Sequence, residues 1–528
     1  MSRTARTDMD SPGLVMHRMG QRKKAYVETY GCQMNVSDGE LMQGILAADG
    51  YEIVTTPEEA DVILVNTCAI REHAEQRVLG RVGQLKRLKR ERPGLILGVT
   101  GCMAQRMGES LLDKAPYVDL VLGPDGYRGL PGALAAVGGA GSGDSASRGS
   151  AMGRAAGAAA GSAGAGAGTG RARRSLPVLP AGAVANGESE RSERAGAGSP
   201  APERDRLALV EFQPHENYEG LEVRRSSRVG AWVPVQRGCD YRCTYCIVPY
   251  VRGSEKNRDP ERILAEVREL AARGIPEVTL LGQTVNSYRH GEWDFARLLR
   301  AVARVDGIRR VRFTSPHPND FTPALVEAMA EEPTVCKHLH LPVQSGHNRT
   351  LKRMLRRYTV EAYLEKIEMV RAAIPQIALS TDIIVAFPGE TEAEYEATLA
   401  LVRQVRYDDA FLYRYSPRDG TPATRLPREQ FIPDDVAQAR LERLIAVQRE
   451  IQAEINRGEV GRTVEVLVER EARSDGDVLG RTDGNKVVAF PGAPSLIGRF
   501  VHVRLTGTTG ATFTGVPVDP QARPEAAA

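Results

Sequence analysis

From Lys24 to Gly123, short apolar runs alternate with stretches of helical period. "KAYVETY", "DVILVN", "LILGVTG" and "VDLVLG" read as strands. "SDGELMQGILAADG" reads as a helix opened by Ser/Asp and stopped by glycine. "EHAEQRVLGRVGQLKRLKRER" reads as a long charged helix ended by Pro93. Apolar strands alternating with helices predict a parallel sheet covered on both faces. After a break the alternation resumes, with strands at "WVPVQRG", "EVTLLGQ", "RRVRFTS", "KHLHLPVQ", "IALSTDIIVAFP" and "FLYRYS". Between them lie helical stretches such as "PERILAEVRELAARG" and "EAYLEKIEMVRAA". Six βα units fall short of the eight of a closed barrel and predict a partial one with an open side. Beyond a helix ending near Gly458, "TVEVLVER", "DVLGRT", "KVVAF", "RFVHVRLTG" and "TFTGVPV" predict a small all-β barrel.

The pattern divides the chain into a disordered tail (1–22), an α/β domain (23–138), an insert (139–205), the partial barrel (206–457), the small β domain (458–522) and a last tail (523–528). The insert, with runs such as "GSAGAGAGTGRARR", has almost no large apolar residues. It cannot bury enough surface to offset ordering entropy. The fold class is therefore α/β with an all-β appendage.

Length and composition add limits. A chain of 528 residues with 42% apolar residues has room for two to four domains. No run of about 18 apolar residues is present, so no membrane span is expected. The start lacks an apolar signal core, which points to a cytoplasmic protein. The net charge of +3 neither requires nor excludes a nucleic-acid partner.

The seven cysteines change the picture. Cys32, Cys68 and Cys102 each follow a strand, in "TYGC", "VNTC" and "VTGC". Ligands gather at the carboxyl ends of parallel strands, so three thiols far apart in sequence can meet there. One such cysteine alone reads as an ordinary buried thiol; the same placement three times argues for a site. Cys239, Cys243 and Cys246 form C-x3-C-x2-C in "RGCDYRCTYCIVPY", on the loop after the first barrel strand. Counting leaves zinc open, because a distant His can complete four ligands. A tight triad at a barrel edge fits a four-iron cluster better: three irons take thiolates and the fourth stays free. Cys336 lies outside both triads and reads as a buried structural thiol.

The C-x3-C-x2-C loop on a partial βα barrel resembles the radical S-adenosylmethionine (SAM) enzymes, with an aromatic residue, Tyr245, just before the third cysteine. "ETYGCQMNVSDGE", "NTCAIREHAEQRV", "GCMAQR", "IVPYVRGSE", "LLGQTVNSY", "HLPVQSG", "LKRMLRRYT" and "DIIVAFPGET" resemble the methylthiotransferases of that superfamily, in the branch acting on tRNA. The resemblance spans the chain except its first ~22 residues, the insert and the extreme C-terminus. It implies an N-terminal methylthiotransferase domain, a radical SAM barrel and a C-terminal RNA-binding TRAM domain. It also implies two [4Fe-4S] clusters, one on Cys32, Cys68 and Cys102 and one on Cys239, Cys243 and Cys246. One SAM would supply the methyl group and another the radical. The product would be a methylthio group at C2 of N6-isopentenyladenosine at position 37, beside the anticodon. The implied partners are tRNA and an electron donor such as flavodoxin or ferredoxin, with the chain a monomer. The alternative is a methylthiotransferase acting on a ribosomal-protein aspartate; a non-catalytic zinc RNA-binding protein is a third reading.

Among the remaining residues, Tyr245, Gln283 and Asp382 are candidates for holding cofactor, with Asp382 reading equally as a core-edge hydrogen-bonder. Asn286 joins Gln283 after its strand. His317 in "SPHPND" reads as either a catalytic residue or a loop-shaping one. Lys352, Arg353, Arg356 and Arg357 form a basic cluster that reads as phosphate contacts to RNA beside the barrel mouth. No catalytic acid or base is assigned.

Overall fold

The structure is a computed structural model and describes residues 22–69, 72–138 and 206–519. The expected insert, the last tail and all of the first tail except Arg22 lie outside the described residues.

The N-terminal sheet has six parallel strands in the order Glu52–Ile53, Lys24–Thr29, Val62–Thr67, Ile96–Gly101, Leu120–Leu122, Leu207–Leu209. Alternate residues of the central strands feed two cores. Ile63, Val65, Leu97 and Val99 pack with Val78, Val82 and Leu85 of the helix Glu72–Glu91. Val62, Leu64 and Ile96 pack with Leu41, Met42 and Ile45 of the helix Gln33–Ala48. Apolar residues on both sides of the three central strands leave that part of the sheet with no wet face.

Two expectations are corrected. The first helix begins at Gln33, a turn before Ser37 and Asp38. That polar pair is buried in the helix against the barrel and does not cap it. Second, Leu207–Leu209 does not open the barrel domain: it pairs with Leu120–Leu122 and completes the N-terminal sheet. The chain then runs back over the first helix, where the Arg224 N–H donates to the Glu40 carbonyl at 3.1 Å. An edge strand needs only three apolar residues, too short a run to assign by pattern to one domain over the other.

The barrel strands are Gly230–Pro234, Glu277–Leu281, Arg310–Phe313, His338–His340, Ala378–Val385 and Asp409–Arg414, all parallel to their neighbours. They form two three-stranded sheets, and an isolated parallel bridge between Val311 and Val335 seams them. Among the described residues the first and last strands do not pair, so one side is open. Val233, Val278, Leu339, Leu379 and Ile383 pack outward against helices through Ile263, Val267, Leu299, Tyr363 and Leu399.

The C-terminal strands Thr463–Glu471, Asp477–Thr482, Val487–Pro491, Phe500–Thr508 and Thr512–Pro517 close into a barrel around Val466, Val488, Val503 and Phe513. It docks on the amino ends of the large barrel's strands. Arg310 donates to the carbonyls of Arg481 (2.7 Å) and Glu465 (2.8 Å). Arg312 donates to those of Thr482 (2.8 Å) and Asp483 (3.0 Å). The Cys239–Cys246 loop lies at the opposite, carboxyl end. No described helix is long and apolar enough to cross a membrane.

Candidate cluster and cofactor site

Sheet topology delivers the first triad. Cys32 immediately precedes the helix Gln33–Ala48, Cys68 directly follows the strand Val62–Thr67, and Cys102 opens the helix Cys102–Met107 after Ile96–Gly101. All three therefore sit at one edge of the sheet. Gly31 makes the approach possible: at φ +135 a Cβ there would lie 2.5 Å from the Cys68 Cβ. The hydrogen bond with Cys68, helped by the Arg252 charge and opposed by burial, lowers the Cys32 thiol to about 6. Burial raises Cys102, against the pull of Arg252. The Arg252 Nε donates to the Cys102 Sγ at 3.2 Å.

The second triad hangs on a loop pinned at its base by the two-residue pairing of Gln236–Arg237 with Lys256–Asn257. Gly238, at φ +77, lets the loop close: a Cβ there would meet the Ser254 carbonyl oxygen at 2.1 Å. The Cys239 N–H donates to the Gly253 carbonyl (3.2 Å), and the Cys246 N–H to the Cys243 carbonyl (3.0 Å). Thr244 is tied to the main chain of Met354 (3.0 Å) and Arg353 (2.9 Å). Burial pushes the Cys239 thiol up to about 11 and Cys246 up to about 12, with Cys243 adding to both.

The basic cluster splits. Lys352 and Arg357 are exposed. Arg353 donates to the Gly389 carbonyl (3.2 Å) and to Gln430 Oε1 (2.6 Å). Arg356 is a correction: it is 8% exposed and does not face solvent. Its guanidinium donates to Cys243 Sγ (3.5 Å), the Tyr358 hydroxyl (3.0 Å) and the Pro342 carbonyl (3.2 Å). The helix Asn348–Arg353 stops, and Leu355 at φ +55 turns the chain, so Arg356 and Arg357 no longer share a helix face.

Tyr245 packs against Met354, Phe387 and Ala423. Among the described residues Gln283 Oε1 is buried without a hydrogen-bond partner. Asp382 Oδ2 lies 3.6 Å from His340 Nε2 on the neighbouring strand. Asn286 clasps His317, accepting from its N–H (2.7 Å) and donating to its carbonyl (2.9 Å). The His317 ring stacks on Tyr241 with centroids 3.7 Å apart, and its Nε2 has no hydrogen-bond partner among the described residues. Cys336 is 2% exposed, and burial pushes its thiol up to about 12.

The two cysteine-bearing domains meet across an interface of buried ion pairs. Arg252 Nη2 binds Asp38 Oδ2 at 2.6 Å. Lys256 Nζ binds Asp125 Oδ2 at 2.6 Å, and Arg237 lies 3.7 Å from the same carboxylate. Ile247 and Val251, just past Cys246, pack on Ala69 and Cys102.

Residues 24–123 match the "Uncharacterized protein family UPF0004", 233–402 the "Radical SAM superfamily" and 457–518 the "TRAM domain". A tRNA-2-methylthio-N(6)-dimethylallyladenosine synthase of Chloroherpeton thalassium is 40% identical over 503 residues, covering 94% of this chain and 97% of that one. One from Carboxydothermus hydrogenoformans is 41% identical over 494 residues, covering 92% and 97%. The chain belongs to the tRNA-2-methylthio-N(6)-dimethylallyladenosine synthase family. The fold is also that of a solved radical SAM methyltransferase, TsrM of Kitasatospora setae. The TM-score is 0.50 at 13% identity, covering 76% of this chain and 77% of that one.

The donor sets suit the iron–sulfur chemistry of a radical SAM family. Each triad offers three thiols and carries one buried guanidinium against a sulfur, which stabilises thiolate. Among the described residues, no three Cys, His, Asp or Glu side chains converge as ligands of a single ion. Thiolates of a four-iron cluster bind different irons and need not converge on one point. Among the described residues, Gln283 Oε1 and Gln344 Oε1 are buried acceptors without a hydrogen-bond partner.

For this synthase-family chain, the sequence reading missed Arg252, Asp38, Asp125 and Gln344. Arg252 stands six residues after Cys246, outside the C-x3-C-x2-C spacing, and nothing in sequence ties it to Asp38. His317 is buried neutral, lowered to about 2 by burial and by Arg356. The sign follows: the unfolded chain takes up a proton below about 6.5 that the folded chain refuses, so stability falls as pH drops through 6.5. His317→Asn keeps an acceptor for the Asn319 N–H. It should flatten the stability slope between pH 6.5 and 5 by up to about 1.4 kcal/mol per pH unit. Urea unfolding at stepped pH checks this, and an unchanged slope rejects a neutral His317.

Proposed function

We propose that this chain methylthiolates C2 of N6-isopentenyladenosine at position 37 of tRNA, with one SAM as methyl donor and another as radical source. The carrying observation is the pair of three-thiol sets, each at a carboxyl strand edge, joined across one buried interface. Cys239, Cys243 and Cys246 would hold one [4Fe-4S] cluster, and Cys32, Cys68 and Cys102 the other. A cluster held by Cys239, Cys243 and Cys246 would supply the electron for reductive cleavage of SAM. The need for a radical is chemical: no side-chain base, even with its pKa shifted 2–5 units, removes hydrogen from adenine C2.

The protein's part is orientation and exclusion of water. Arg356 holds Cys243, and Arg252 holds Cys102. Tyr245 walls the loop through its packing on Phe387. Gln283 and Asp382 are the proposed polar contacts to SAM, and Lys352 and Arg357 the proposed phosphate contacts. An anticodon-loop adenine can be splayed out at a cost of a few kcal/mol. We also assign a flavodoxin- or ferredoxin-like electron donor, a monomeric state and the cytoplasm. The domain limits follow the correction above, with residues 206 to about 225 assigned to the N-terminal domain.

The test is mass spectrometry of tRNA nucleosides from cells with and without the gene. Loss of the methylthio group with isopentenyladenosine retained supports the proposal. An unchanged tRNA profile with loss of methylthio-aspartate from a ribosomal protein rejects it.

A further inference from the structure

Arg252 belongs to the barrel's cysteine loop, yet its head lies in the other domain's triad. It is 3% exposed, with Nε on Cys102 Sγ at 3.2 Å and Nη2 on Asp38 Oδ2 at 2.6 Å. Among the described residues Nη1 is buried without a hydrogen-bond partner, leaving one more donor in the same site. Asp38 fixes the guanidinium, and the packing of Val251 on Cys102 and Ala69 fixes the backbone behind it. A cation so placed lies against the anionic sulfur of any cluster held by Cys32, Cys68 and Cys102. Cluster potentials respond to nearby charge and to hydrogen bonds on the sulfurs, and both favour the more reduced, more negative state. The barrel triad receives a similar contact from Arg356, but from within its own domain.

We propose that Arg252 is a positioning residue for the N-terminal triad, through which the barrel's cysteine loop holds Cys102 and raises the reduction potential of the cluster bound there. This rests on the reading that the N-terminal triad carries a cluster.

The experiment uses the full chain with Cys239, Cys243 and Cys246 replaced by alanine, so that only the N-terminal triad can load. It is reconstituted without oxygen, assayed for iron and titrated redox-potentiometrically with dithionite, followed by electron paramagnetic resonance. Adding Arg252→Gln should move the potential to more negative values, while Arg252→Lys should stay nearer the parent. A loaded Arg252→Gln protein with the parent's potential overturns the proposal. If Arg252→Gln loads no iron, Arg252→Lys decides. Loading near the parent's potential supports a charge-based role, and failure to load overturns it. A parent that binds no iron removes the N-terminal cluster itself, a result distinct from any effect of Arg252.

Discussion

Replacing Cys239, Cys243 and Cys246 with alanine should abolish 5′-deoxyadenosine formation, whereas replacing Cys32, Cys68 and Cys102 should leave it measurable and stop methylthio transfer. Only the barrel triad lies on the loop at the barrel's carboxyl end, tied through Thr244 to Met354 and Arg353. Its loss leaves no thiolate to hold an iron that can bind SAM. The N-terminal triad is built on a separate sheet with its own two cores, so its removal need not unfold the barrel. Iron per chain should fall from about eight to about four in each triple variant, if each site holds four irons. Chromatography of the SAM products and nucleoside analysis of tRNA read the two steps separately. Methylthio-adenosine made by the N-terminal variant would refute the division of roles.

Asp125→Ala should destabilise the protein by about 3–5 kcal/mol, because it strands buried cations. Asp125 and Arg237 side chains are 2% and 3% exposed, and Lys256 is 10% exposed. Water cannot take over the lost charge. Lys256 keeps the Gln213 carbonyl as acceptor, and Arg237 keeps the face of Tyr218 at 3.8 Å. Neither supplies a counter-charge. By contrast, Glu91→Ala removes an exposed partner of Arg87 and should cost within about 0.5 kcal/mol. Urea midpoints of the two variants, measured at matched iron content, make the comparison. A midpoint for Asp125→Ala equal to that of Glu91→Ala would reject the interface as a source of stability.

The periodic parts of this fold were legible in the sequence because each strand buries apolar side chains on a repeating pattern. The six barrel strands and five small-barrel strands all formed where the alternation placed them. Segments whose identity depends on a distant partner were not legible. Leu207–Leu209 becomes an edge strand only because Leu120–Leu122 offers it a free edge. Ser37 and Asp38 look like a helix cap until Arg252 arrives from more than two hundred residues away. Arg356 looked like one more surface charge, since a change of chain direction at Leu355 has no composition signature. The cysteines stood out because their spacing is local in one triad and their context repeats in the other.

The docking of the small β barrel has a geometric consequence. Arg310 and Arg312 grip main-chain carbonyls, and Arg309 and Arg310 cover the ring of Phe500 at 3.7 and 4.9 Å, so the module is riveted in place. It sits at the end of the large barrel remote from the cysteine loop. An RNA that touched both would therefore be read by a caliper of fixed span. The separation of the two modules would then set which span of the folded nucleic acid can reach both.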